Sequence, residues 1–114
     1  MQKLQLTARC RIHPGKYDAF VAAAKACMAS VRARDKGTQQ YDWFVDAGKQ
    51  EGVVRETYAD SAALLAHVAN LGEAMGALLG ASDMSLEIYG TPSQAVLDAA
   101  AAFPTKVYAF LQGL

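Results

Sequence analysis

The chain is poor in cysteine, proline, histidine and tryptophan, and it carries no net charge. Its two cysteines, Cys10 and Cys27, are too few and too far apart for a zinc motif. Both fall on apolar faces of predicted elements, so we interpret them as small buried hydrophobic side chains. The 11 basic and 11 acidic residues are interspersed, which argues against nucleic acid or an anionic membrane as a partner.

Long apolar runs are missing as well. The apolar stretches are interrupted by Gly, His, Asn or Glu and stay well short of the roughly 20 residues of a transmembrane helix. The first residues, Met1-Gln2-Lys3-Leu4-Gln5-Leu6, alternate polar with apolar and lack the hydrophobic segment of a secretory signal. These features predict a cytoplasmic protein.

The composition indicates a single small domain with more apolar residues than its own core is expected to bury. The chain has 114 residues, and we expect residues 1–114 to form one domain. Hydrophobic residues make up 53% of it, and a domain of this size buries only about two-thirds of its unfolded surface. The excess predicts a further buried surface, most simply the interface of a homodimer.

Hydrophobic periodicity predicts the order of elements. Residues 3–13 alternate as a strand, about 15–34 follow a helical period, and 38–58 form a hairpin. A second helix follows over about 61–79, then a strand over 84–89, a short helix over 93–102 and a last strand over 107–111. The order β-α-β-β-α-β predicts a ferredoxin-like α+β sandwich with an antiparallel sheet, in a core of about 3–90, plus a C-terminal extension over 91–114.

Two features of this pattern concern function. In the hairpin, Trp43 and Phe44 point to opposite faces, so both faces of the sheet are expected to be covered, one by helices and one by a partner subunit. On the second helix, which Asp60 is predicted to cap, His67 lies at the edge of the apolar stripe. The stripe itself consists of Leu64, Val68, Leu71, Met75 and Leu78.

With this layout, the chain resembles the antibiotic biosynthesis monooxygenase family, whose members are dimeric α+β barrels. Three segments carry the resemblance, which extends over about residues 3–90. They are Pro14-Gly15-Lys16 ahead of Phe20, Tyr41-Asp42-Trp43-Phe44, and Glu56-Thr57-Tyr58-Ala59-Asp60 followed by Ala63 and His67.

The resemblance implies a pocket between sheet and helices and a reaction that needs neither flavin nor metal. It places Tyr58 at an aromatic position where many relatives have tryptophan, and it makes His67 the catalytic candidate. The candidate substrate-binding residues are Tyr58, Trp43, Phe44 and Leu71. Haem-degrading relatives use an asparagine on the first strand, where this chain has Leu6, Ala8 and Cys10, so haem degradation is disfavoured.

The residues suit a route in which an electron-rich substrate anion reduces O₂ directly. The chain has no P-loop, GxGxxG or HExxH motif, whereas a histidine accepts protons near neutral pH. We therefore expect a homodimeric monooxygenase that oxidises a quinol, phenol or similar small aromatic. Two alternatives stay open: an isomerase of a small oxygenated metabolite, and a non-catalytic dimeric binding protein. Glu56 is assigned to a cross-strand pair, although it could also orient His67.

Overall fold

The computed structural model describes residues 3–114, so Met1 and Gln2 of the alternating start lie outside it. The strands are β1 (Leu4–Ile12), β2 (Thr38–Val45), β3 (Glu51–Tyr58), β4 (Ser82–Tyr89) and β5 (Thr105–Tyr108). The helices are α1 (Tyr17–Arg34), α2 (Ser61–Leu71), α3 (Glu73–Ala81) and α4 (Gln94–Ala100). The sheet order is β2-β3-β1-β4-β5. The first four strands pair antiparallel and β5 joins β4 in parallel, which confirms the predicted α+β ferredoxin-like class.

The helices lie on one face of the sheet, and the core lies between them. Alternation along β1 turns Leu4, Leu6, Ala8 and Cys10 inward, and all four are buried. Register extends this inner face across the hairpin, because Leu6 is opposite Glu56 and Glu56 is opposite Tyr41. Cys10 and Cys27 are both free and buried in the core, as predicted.

The predicted single second helix is wrong, because Gly72 divides it. Its backbone has φ +52° and ψ −123°, a conformation that suits glycine and ends α2 at Leu71. The two helices meet at a bend of 81°. Asp60 caps α2 as predicted, since its carboxylate accepts a hydrogen bond of 2.9 Å from the Ala63 amide.

The helix and the strand of the C-terminal extension also differ from their predicted bounds. Ser93 caps α4, and β5 covers residues 105–108 rather than 107–111. Phe110 and Leu111, expected in the strand, lie beyond it and are 77% and 90% exposed. They leave the sheet because β5 ends where its partner β4 ends, with Tyr108 paired to Tyr89.

Among residues 3–114, no single helix has the length and apolar character needed to cross a membrane. The bent pair of α2 and α3 meets that criterion only when the two helices are counted together, by length and composition.

Candidate functional site

The candidate site is built around His67, which lies on α2 and faces the inner side of the hairpin. Its residue surface is 3% exposed, so His67 belongs to the centre of the helix stripe. The prediction that it lies at the edge is wrong; Val68, 40% exposed, takes that place. The helix is rotated so that Leu64, His67 and Leu71 point inward, at i, i+3 and i+7.

Asp35 holds the His67 ring from the loop that follows α1. The distance from His67 Nδ1 to Asp35 Oδ2 is 2.7 Å, and both side chains are nearly inaccessible to solvent. The same carboxylate accepts hydrogen bonds from the Thr38 hydroxyl at 2.7 Å and the Asn70 amide at 2.9 Å. Burial acts to raise the pKa of Asp35, but these bonds outweigh it and leave the pKa below its ordinary value.

The imidazole is consequently held neutral and in one orientation. Burial lowers the pKa of His67 because it disfavours the imidazolium, and Asp35 opposes that effect only in part. An ionised Asp35 can only accept a hydrogen bond, so Nδ1 carries the proton and donates it. The lone pair therefore lies on Nε2.

A buried acid stands on the other side of the ring. Glu56 Oε1 lies 4.0 Å from His67 Nε2, beyond hydrogen-bond distance, and accepts a hydrogen bond from the Tyr58 hydroxyl. Burial raises the pKa of Glu56 to about 7, although the bond from Tyr58 opposes this. The Glu56 carboxyl therefore changes charge close to neutral pH.

Aromatic rings surround this pair of ionisable groups. The His67 ring centroid is 5.0 Å from that of Tyr41 and 5.3 Å from that of Tyr58. Trp43 packs edge-on against Tyr41, with centroids 5.6 Å apart. The Trp43 indole Nε1 is buried and has no hydrogen-bond partner in the described part of the chain. A buried donor without a partner is uncommon, so the Trp43 indole N–H is available to donate a hydrogen bond to a bound molecule.

A cavity of about 90 Å³ lies between the sheet and the helices, and one end of it is lined by Tyr41, Trp43, Glu56 and His67. The remainder of the lining is apolar and comes from β1, β3, β4, the helices α2, α3 and α4, and Phe103. Across residues 3–114, no three His, Cys, Asp or Glu side chains form a group that could hold a metal ion.

The cavity brings together some of the residues predicted from the sequence and omits others. His67, Trp43 and Leu71 line it. Tyr58 is fully buried behind Glu56 and is absent from the lining, so its hydroxyl supports the acid. Phe44 is 58% exposed on the outer face, because strand alternation turns it away from Trp43.

Sequence reasoning missed Asp35, Asn70 and the inward position of Glu56. Glu56 is no surface cross-strand residue, since it is 7% exposed on the inner face. Its parity with Val54 and Tyr58 carried that signal. The sequence also contained a signal for Asp35. It follows the last residue of α1, where a negative charge is unfavourable because of the helix dipole.

Comparison with known proteins agrees with this architecture. No curated protein sequence matches the chain. The crystal structure of MupZ from Pseudomonas fluorescens is similar, with a TM-score of 0.82 and 18% identity over 100% of this chain and 94% of that one. SnoaB from Streptomyces nogalater, described as a cofactor-independent oxygenase, has a TM-score of 0.69 and 13% identity over 82% and 97%. At these identities the likeness shows a shared fold.

The family model for antibiotic biosynthesis monooxygenase matches residues 5–73. That span runs from β1 through α2 and includes Asp35, Trp43, Glu56 and His67. It covers more than half of the chain, and the chain therefore belongs to the antibiotic biosynthesis monooxygenase family.

Proposed function

We propose that the chain is a cofactor-independent monooxygenase that oxidises a quinol, phenol or similar small aromatic with O₂. One observation carries the proposal: His67 is buried at an apolar cavity with Nδ1 bonded to Asp35 and Nε2 left free. Family membership supports the reaction class. SnoaB, which shares the fold, supports a route without flavin or metal.

In this proposal His67 is the proton acceptor. Its neutral Nε2 takes the proton from a substrate hydroxyl, and Asp35 stabilises the imidazolium that forms. The resulting anion is a stronger reductant than the neutral phenol. A lining that is mostly aliphatic excludes water from this anion.

The redox chemistry then balances between substrate and O₂ alone. The anion transfers electrons to O₂, and the oxygen species forms a C–O bond at a ring carbon that carries hydrogen. His67 returns its proton to this peroxide and gives a hydroperoxide. The ring carbon then loses its proton as the O–O bond breaks, which forms a quinone carbonyl and releases hydroxide; that proton and the hydroxide leave as water. One oxygen atom of O₂ becomes the new carbonyl, the other leaves as water, and the substrate supplies all the electrons.

The test is oxygen uptake in a closed cell, with metal-free protein and a panel of quinols and phenols. We expect uptake above the autoxidation blank, reduced by about 10²-fold in His67→Ala. Asp35→Asn should reduce oxygen uptake about tenfold, since it weakens the hydrogen bond that orients the His67 ring. His13→Ala is the matched control, because His13 is the other histidine and bonds Asp83 away from the cavity.

Two outcomes contradict the proposal. Equal uptake by His67→Ala and wild type removes His67 from the mechanism. A flat trace across the panel contradicts the monooxygenase itself and favours an isomerase or a binding protein that keeps the same pocket.

We also propose that the functional form is a homodimer. The helices cover only the inner face of the sheet, and the outer face presents Phe44, Val53 and the stacked pair Tyr89 and Tyr108. A second copy packed on that face would cover these side chains, in agreement with the high apolar content.

A further inference from the structure

The cavity has two chemically different ends, set by the order of the strands. The inner face of β2 and β3 contributes the polar groups Tyr41, Trp43 and Glu56. Two strands away, the lining from β4 is Met84, Leu86 and Ile88, with no polar side chain. From β2 to β4 the sheet spans three strand spacings, about 14 Å in total. The cavity is therefore polar at one end and aliphatic at the other.

The helices repeat this division. α2 places His67 over the polar end. α3 contributes Met75 to the lining. α4 and the segment that leads from it into β5, beside β4, close the aliphatic end with Val96, Ala99 and Phe103. This end contains one aromatic side chain, Phe103. A flat polycyclic ligand would find few faces to stack on there, whereas a flexible chain would match its surface.

The polar end also has hydrogen-bonding capacity that the protein does not use. The Trp43 indole Nε1–H has no partner within the described residues, and His67 Nε2 makes no hydrogen bond to Glu56. A ligand oxygen could accept from the indole while a ligand hydroxyl donates to the imidazole. The polar end therefore suits a ligand head that carries oxygen atoms.

From these observations we propose that the cavity takes an oxygenated ring that carries an aliphatic tail, with the tail under α4. This inference rests on the proposed function and narrows its substrate class to alkyl-substituted phenols or quinols. The cavity volume of about 90 Å³ is below the roughly 150 Å³ that holds benzene in a known example, so side chains must move on binding. Met75 and Met84 line the cavity, and unbranched methionine side chains adapt readily.

The test is equilibrium binding of 4-methylphenol, 4-butylphenol and 4-octylphenol without oxygen. Trp43 is the only tryptophan and lines the cavity, so its fluorescence reports occupancy without turnover. We expect Kd to fall by about fourfold for each added methylene group until the aliphatic end is full. A Kd that does not depend on chain length would overturn the inference.

A substitution on α4 tests where the tail lies. Ala99 is exposed at the rim yet lines the cavity, so Ala99→Leu should fold and obstruct the aliphatic end. We expect Ala99→Leu to raise the Kd for 4-octylphenol about tenfold and to leave the Kd for 4-methylphenol nearly unchanged. Ala95→Leu makes the same change one turn earlier, outside the lining, and should alter neither Kd. Equal weakening of both phenols by Ala99→Leu would contradict the placement of the tail.

A second control is needed because Trp43 also borders a surface groove between α1 and β2, where Phe44 lies. Phe44→Ser should leave the dependence on chain length intact; loss of that dependence would place the tail in the groove and overturn the inference. Binding and turnover separate the two proposals. Tight binding of 4-octylphenol with a flat oxygen trace across the whole panel contradicts the proposed function alone, whereas uptake with Kd values independent of chain length contradicts this inference alone.

Discussion

Glu56 lies on the inner face of the sheet with its carboxyl group between the Tyr58 hydroxyl and the His67 ring. Burial raises its pKa to about 7, above the value of 4.5 expected for an exposed glutamate. Between these two pH values the folded state binds more protons at this site than the unfolded chain does. The free energy of unfolding must therefore fall as the pH rises through this window.

Glu56→Gln should remove this dependence, because the amide keeps an acceptor for Tyr58 and does not titrate. From about pH 5 to pH 8 we expect the free energy of unfolding of the variant to rise relative to that of the wild type by on the order of 2 kcal/mol. Urea denaturation of both proteins at each pH measures the difference and cancels the contribution of all other groups. Parallel stability curves for the two proteins would show that the pKa of Glu56 is the same in the folded and unfolded states and would contradict the prediction.

At this scale the sequence reveals residue type and parity more readily than partners. Parity places Glu56 with Val54, and the helical period places His67 near the core. The bond from His67 to Asp35 joins residues 32 positions apart and depends on how the loop after α1 folds. No local pattern encodes that distance, so Asp35 could be suspected only from its unfavourable place at a helix end.

At the scale of elements, the turn from α1 to β2 places Asp35 beside His67. Gly37 lets this turn pack closely against α2. A Cβ at Gly37 would lie 2.5 Å from Ala63 Cβ on α2. The Gly37 carbonyl also accepts from the Ala59 amide at 2.9 Å, which ties the turn to the start of α2. The close approach keeps Asp35 within reach of His67.

Gly37→Ala should force the turn away from α2 and destabilise the fold by about 1–3 kcal/mol. The double variant Gly37→Ala with Ala63→Gly removes the clash, so we expect part of the loss to be recovered. Gly76→Ala is the matched control, since nothing lies within 4 Å of a Cβ in the middle of α3. That change should stabilise by up to about 1 kcal/mol. The midpoint of urea unfolding of each variant measures these effects. A Gly37→Ala variant with the same midpoint as the wild type would contradict the proposed role of the turn.

Element order was predictable because alternation and the helical period are local signals. The division of the second helix was not, because its apolar stripe continues through Gly72 from Leu71 to Met75. Only the backbone shows that the chain bends there. The end of β5 was misplaced for a similar reason, since Phe110 is apolar but has no strand opposite it.

For the whole molecule, the decisive question is what covers the outer face of the sheet. Strand register places Phe44 opposite Val53 on that face, next to Asp42, which lies opposite Arg55. Further along, Tyr89 bonds Thr7, and Arg9 pairs with Glu87. Such a mixture of apolar and polar side chains is typical of an interface between subunits.

If a second copy covers this face, a buried charge there must weaken assembly without unfolding the subunit. We expect light scattering after gel filtration to give twice the 12.1 kDa chain mass at micromolar concentration, and Val53→Glu to shift the protein toward the monomer. Ala22→Glu adds the same charge on the exposed side of α1 and should leave the mass unchanged. A monomeric wild type would refute the dimer. A Val53→Glu variant that stays dimeric would move the interface elsewhere, and the outer face would then have to be stable in water with Phe44 exposed.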